Sequence, residues 1–78
     1  MEQLDIVQLM SKESFIKAHA HLLNCEWEIT GFGSRSVLYK NKKDRLTIFS
    51  EGDQILFQMN EEEAKELTED NLIRTILF

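Results

Sequence analysis

From Trp27 to Asn60 the chain carries four short runs rich in β-branched and aromatic residues, each bounded by turn formers. The runs are Trp27–Thr30, Ser36–Lys40, Arg45–Phe49 and Gln54–Met59, and the breaks are Gly31–Ser34, Asn41–Asp44 and Ser50–Asp53. Val, Ile, Thr, Tyr and Phe interrupted by Gly, Asn, Asp and Ser is the signature of strands and turns. The breaks are too short for crossover connections, so neighbouring runs pair antiparallel. This stretch predicts a four-stranded meander, and the flanking segments read as helices that must pack on it. The expected fold is α+β: an N-terminal helical segment, the antiparallel sheet, and one or two C-terminal helices.

Alternation along the strands assigns their faces. One face collects Trp27, Ile29, Val37, Tyr39, Leu46, Ile48, Ile55, Phe57 and Met59 and is expected to meet the helices. The other carries polar residues together with Phe32, Leu38, Phe49 and Leu56. Single apolar residues on a surface are ordinary, but a contiguous exposed patch marks an interface. These four are candidate interface residues, unless the C-terminal segment covers them.

Before the sheet, Leu4–Met10 reads as a short helix. Ser11 is a candidate N-cap for an amphipathic helix whose apolar positions are Phe15, Ile16, Ala18, Ala20, Leu22 and Leu23. Asn24 is a plausible stop because it tolerates the left-handed conformation. After the sheet, Asn60 is expected to cap a helix over Glu61–Leu67, with Thr68 opening a second one. The chain ends on Ile76, Leu77 and Phe78. Such a terminus is expected to dock on the sheet or on a second subunit, so Ile76 and Phe78 join the candidate interface.

The chain has 78 residues, which predicts one domain with roughly 3–5 kcal/mol of net stability unless something reinforces it. One cysteine excludes an internal disulfide, and two histidines leave a Cys/His zinc site short of ligands. Self-association is therefore the expected reinforcement, and a homo-oligomer is anticipated. The acidic start Met1–Asp5 lacks the basic and apolar regions of a signal peptide, and no apolar run approaches the roughly 20 residues that span a bilayer. A cytoplasmic protein without membrane contact is expected.

The residues able to carry chemistry are few. His19 lies in the middle of the apolar helix face, where a histidine hydrogen-bonded to a neighbour is the commoner arrangement. Cys25 is flanked by Glu26 and Glu28, which disfavours a thiolate, and reads as a small buried apolar residue. His21 points away from the apolar face. Gly31–Ser34 lies between strands, so it lacks the following helix that a phosphate loop requires. No nucleophile–base pair or metal cage emerges. The expectation is no catalytic residue, no metal and no cofactor.

Charge is unevenly distributed. The net charge is −5, yet five of the nine basic residues (Arg35, Lys40, Lys42, Lys43 and Arg45) fall within one hairpin, offset only by Asp44. Glu61, Glu62, Glu63, Glu66, Glu69 and Asp70 crowd the segment after the sheet, offset only by Lys65. These patches read either as solvated surface or as elements that steer a partner. The five basic residues are the candidate contacts for an anion or nucleic acid, although overall acidity disfavours a general nucleic-acid binder.

The order helix, strand, Gly33-Ser34-Arg35, hairpin Val37–Ile48 and closing Leu72–Leu77 resembles the HicA-type RNA-cleaving toxins. Their core is α-β-β-β-α, like that of double-stranded-RNA-binding domains. That family carries its catalytic histidine where this chain has Arg35, and the run Gln54–Met59 is an additional strand. The resemblance therefore extends to architecture alone. The expected function is a non-enzymatic protein-interaction or regulatory module of the kind found among phage-encoded accessory proteins, with an unspecified protein partner. The alternative is nucleic-acid binding through the Arg35–Arg45 hairpin.

Overall fold

A computed structural model describes residues 4–76. Its elements in order are α1 (Ile6–Ser11), α2 (Glu13–Asn24), β1 (Glu28–Phe32), β2 (Ser36–Lys40), β3 (Arg45–Glu51), β4 (Gln54–Met59), β5 (Lys65–Glu66) and α3 (Glu69–Ile76). The strands form one antiparallel sheet in sequence order, β1-β2-β3-β4-β5. The fold is α+β as the sequence predicts, with four main strands and a short fifth.

The meander follows from local chemistry. Asn41 Oδ1 accepts from the Lys43 and Asp44 amides, which closes the β2–β3 turn. Gly52 supplies φ +64° at the β3–β4 turn, a conformation that suits a residue lacking Cβ. The registers Tyr39↔Leu46, Val37↔Ile48 and Ile48↔Phe57 bring the apolar residues into line on one face. Those residues, with Trp27 and Met59, join Leu9 of α1, Phe15, Ala18 and Leu22 of α2, and Leu67 and Leu72 in one core.

The helix ends differ from the sequence expectation. α1 opens with a capping box, in which Asp5 Oδ1 accepts from the Gln8 amide at 2.9 Å and Gln8 Oε1 from the Asp5 amide at 3.0 Å. Ser11 does not cap α2. It closes α1, its hydroxyl donating to the Gln8 carbonyl, and Lys12 occupies the α2 N-cap without a side-chain bond. At the far end of α2 the left-handed residue is Glu26 (φ 68°), not Asn24. The Trp27 amide donates to the Leu22 carbonyl and the Glu26 amide to that of Leu23. This is a Schellman closure, with buried Trp27 and Leu22 as its apolar partners.

Glu61–Leu67 is not a helix. Asn60 has φ 56°; its Oδ1 accepts from the Arg45 amide and its Nδ2 donates to Asp44 Oδ1. The side chain that would cap a helix is thus committed to the β2–β3 turn. The chain turns at Asn60–Glu61 and comes back antiparallel to β4 as Lys65–Glu66. The Leu67 amide donates to the Ile55 carbonyl, and Leu67 enters the core. Thr68 does cap α3, its Oγ1 accepting from the Asn71 amide at 3.0 Å.

Candidate functional site

All of the core residues contributed by the helices lie on the Val37–Tyr39–Ile48–Phe57 side of the sheet. Antiparallel pairing gives the opposite face its order. One row runs Gly31–Leu38–Thr47–Gln58, the next Ser36–Phe49–Leu56–Glu66, and a third Glu28–Lys40–Arg45. Phe49 and Leu56 are direct cross-strand neighbours, and Leu38 lies diagonal to Phe49, a separation of roughly 7–8 Å. Leu38 is 39% exposed, while Phe49 and Leu56 are half-buried. Leu72 of α3 belongs to the core and Ile76 packs against it on the helix side. The C-terminal helix therefore does not cover Leu38, Phe49 and Leu56, and Ile76 is part of the packing within the chain. Phe78 lies outside the described residues.

Phe32 does not belong with them. The β1–β2 register slips between Ile29 and Gly31, so Thr30 is an extra residue in β1 and its hydroxyl donates to the Leu38 carbonyl. Beyond this bulge Phe32 pairs with Val37, an inward residue. An inserted residue exchanges the faces. Phe32 thus stands on the helix side of the edge strand, where it is 58% exposed. The alternation rule for an uninterrupted strand assigns it the wrong face.

The basic hairpin is divided by the fold. Arg35 lies in the β1–β2 turn, at the opposite end of β2 from Lys40, Lys42, Lys43 and Arg45. Lys40 and Arg45 are direct partners on the open face, beside a hollow of about 360 Å³ that Thr30, Leu38, Thr47 and Asn60 also line. Lys42 and Lys43 border a second hollow shared with Glu26 and Glu28. Glu61–Glu63 follow β4 at this same end, whereas Glu69 and Asp70 open α3 at the other. The sequence suggests a basic hairpin and a separate acidic segment after the sheet. Folding instead interleaves acid with base.

The chemistry-bearing residues are separated or occupied. His19 Nδ1 lies 2.8 Å from the Tyr39 hydroxyl, and the His19 ring stacks on Phe15 at a centroid distance of 5.6 Å. Burial raises the Tyr39 pKa, so the phenol keeps its proton. Cys25 is exposed rather than buried, because the Schellman turn carries it to the surface, and its Sγ is 3.8 Å from His21 Nε2 one helical turn away. Among the described residues no group of three His, Cys, Asp or Glu side chains is placed to hold a metal ion, and no helix is long and apolar enough to cross a membrane. Compared with protein-family models, with curated proteins and with solved structures, the chain matches none of them.

Proposed function

We propose that this protein is a non-enzymatic interaction module that docks a protein partner on the open face of its sheet. The observation that carries the reading is the cluster of Leu38, Phe49 and Leu56 on a face that no helix of the described residues covers. Apolar anchors at the centre of a polar rim are the usual energetic core of a protein interface. Thr47, Gln58 and Ser36 supply the rim, and Lys40 and Arg45 supply charge at one end. A partner with apolar side chains beside one or two carboxylates fits this arrangement. The engagement of His19 by Tyr39 and Phe15 favours a structural role for that histidine over a catalytic one.

Nucleic-acid binding is the weaker reading. Phosphate recognition needs several convergent cations, and here Glu26, Glu28 and Glu61–Glu63 share the end that holds Lys40, Lys42, Lys43 and Arg45.

Retention of cellular proteins on the immobilised chain separates the two readings. A specific binder is expected on the parent, lost with Phe49→Asp or Leu56→Asp, and kept with the double substitution Lys42→Glu, Lys43→Glu. Oligonucleotide binding by the parent that the lysine substitutions abolish would establish the other reading. Retention unchanged by both face substitutions would overturn the proposal.

A further inference from the structure

Among the described residues two sheet edges remain open, and they differ. β5 is two residues long and both are charged, which protects it from further pairing. β1 is five residues long, with β2 on one side and, among the described residues, no strand on the other. Its outer edge presents unpaired backbone groups, a template for another strand.

Exposed apolar side chains stand on this strand and on α2, the helix that leads into it. On α2 the core line is Phe15, Ala18 and Leu22, and the groove against Leu72 and Ile73 of α3 lies on the flank of Lys17 and His21. At 100° per residue, Ile16 and Leu23 occupy the opposite flank. They are 53% and 48% exposed. The tight link through Cys25–Trp27 sends β1 back antiparallel to α2. Leu23 is thereby set towards the Ile29 end of β1 and Ile16 towards the Phe32 end. Ile29 and Phe32 are the helix-side residues of this strand and are themselves exposed. The bulge at Thr30 is what puts Phe32 on the helix side.

We propose that a second copy of this chain occupies this edge, the two β1 strands pairing antiparallel about a two-fold axis so that the sheets join and Ile16, Leu23, Ile29 and Phe32 of both copies are covered. Three features favour a copy over a foreign strand. The first is symmetry: a two-fold contact repeats one patch, so an antiparallel-competent edge with exposed apolar side chains is complementary to itself. The second is charge. Glu26 and Glu28 stand at one end of β1 and Arg35 just past the other. Antiparallel pairing brings the Arg35 end of one strand to the Glu26 end of its partner, twice in the dimer. The third is size, since a domain of this length with no internal disulfide gains most from added apolar burial. This contact uses the edge and the helix side, not the outer sheet face, and so is independent of the proposed docking function.

Sedimentation equilibrium across a concentration series, with circular dichroism as the folding control, tests it. The parent is expected to give the mass of two chains. Leu23→Glu and Phe32→Asp should each raise the dissociation constant at least about tenfold. Both positions are largely exposed, so the helix and strand spectrum should persist. Arg35→Glu should weaken the dimer, and adding Glu26→Arg in the same chain should restore it. Phe49→Asp should leave it intact. A parent that stays monomeric at every concentration would overturn the proposal, as would a dimer that survives both Leu23→Glu and Phe32→Asp. A dimer dissolved by Phe49→Asp but not by Phe32→Asp would overturn it and would assign the open face to self-association. A monomer that still retains a partner through Phe49 would sink this inference alone.

Discussion

His19 of α2 and Tyr39 of β2 meet at 2.8 Å beneath the helix layer, an imidazole nitrogen hydrogen-bonded to the phenol of a residue that is 1% exposed. The bond ties the helix layer to the sheet near its middle strands. Tyr39→Phe keeps the ring but removes the hydroxyl and leaves a half-buried nitrogen without its partner. We expect a loss of about 1 kcal/mol in chemical denaturation.

The same residue predicts an alkaline limit. Burial raises the folded-state pKa of Tyr39, whereas an unfolded tyrosine titrates near 10. The stabilisation is therefore complete below about pH 10 and is lost as pH rises further, because only the unfolded chain releases the proton readily. Tyr39 is the single tyrosine, so tyrosinate absorbance reports it directly. Titration should coincide with unfolding rather than precede it, and Tyr39→Phe should flatten the alkaline fall in stability.

Neighbouring residues of β3 should differ sharply. Ile48 is fully buried between Val37 and Phe57, while Phe49 faces outward beside Leu56. Ile48→Ala opens a cavity and should cost about 2–5 kcal/mol. Phe49→Ala removes a larger side chain from a half-covered face and should cost about 1 kcal/mol or less. Denaturant midpoints at constant slope measure both. Equal losses would mean that the outer face is covered after all.

The inner face was legible because strict alternation in β2, β3 and β4 survives folding, so Val37, Tyr39, Leu46, Ile48, Phe57 and Met59 could be read directly as core. Phe32 was not, since a bulge at Thr30 leaves no compositional mark beyond the adjacent Gly31. Ile16 and Leu23 look like core because the helix is apolar over a wide arc, yet only the arc facing the sheet and α3 finds partners. The stretch after Met59 has the composition of a capped acidic helix. What defeats that helix is long-range: Asn60 is held by Asp44 and Arg45, and Leu67 has a place in the core. The open face was legible in Leu38, Phe49 and Leu56, but its helix-free state depended on where α3 would dock.

Asn60 should accordingly be a costly position to change. Its left-handed backbone and its bonds to Arg45 and Asp44 stabilise both the β2–β3 turn and the exit from β4. Asn60→Gly keeps the backbone conformation and loses the side-chain bonds. Asn60→Ala loses the bonds and adds backbone strain. Losses of about 1 and about 2 kcal/mol are expected in that order. A glycine variant as unstable as the alanine variant would mean that the side-chain bonds account for the whole effect.

Glu26 presents the opposite case, a place where the natural residue is the poorer fit. It occupies the left-handed position of the Schellman closure at φ 68°, is exposed, and takes part in no ion pair among those of the described residues, Lys17–Glu13 and Arg74–Asp70. Glycine is the usual residue at this position because it has no Cβ to strain. Glu26→Gly should therefore stabilise the chain by a few tenths to about 1 kcal/mol, the unfolded chain's added freedom offsetting part of the relief. For a domain this small, about 1 kcal/mol would raise Tm by roughly 4–8 °C. Measured as thermal unfolding of the monomeric Phe32→Asp background, the shift separates this helix-end effect from any role of Glu26 in pairing with Arg35. A fall in Tm there would mean that the carboxylate makes a contribution larger than the strain it sits in.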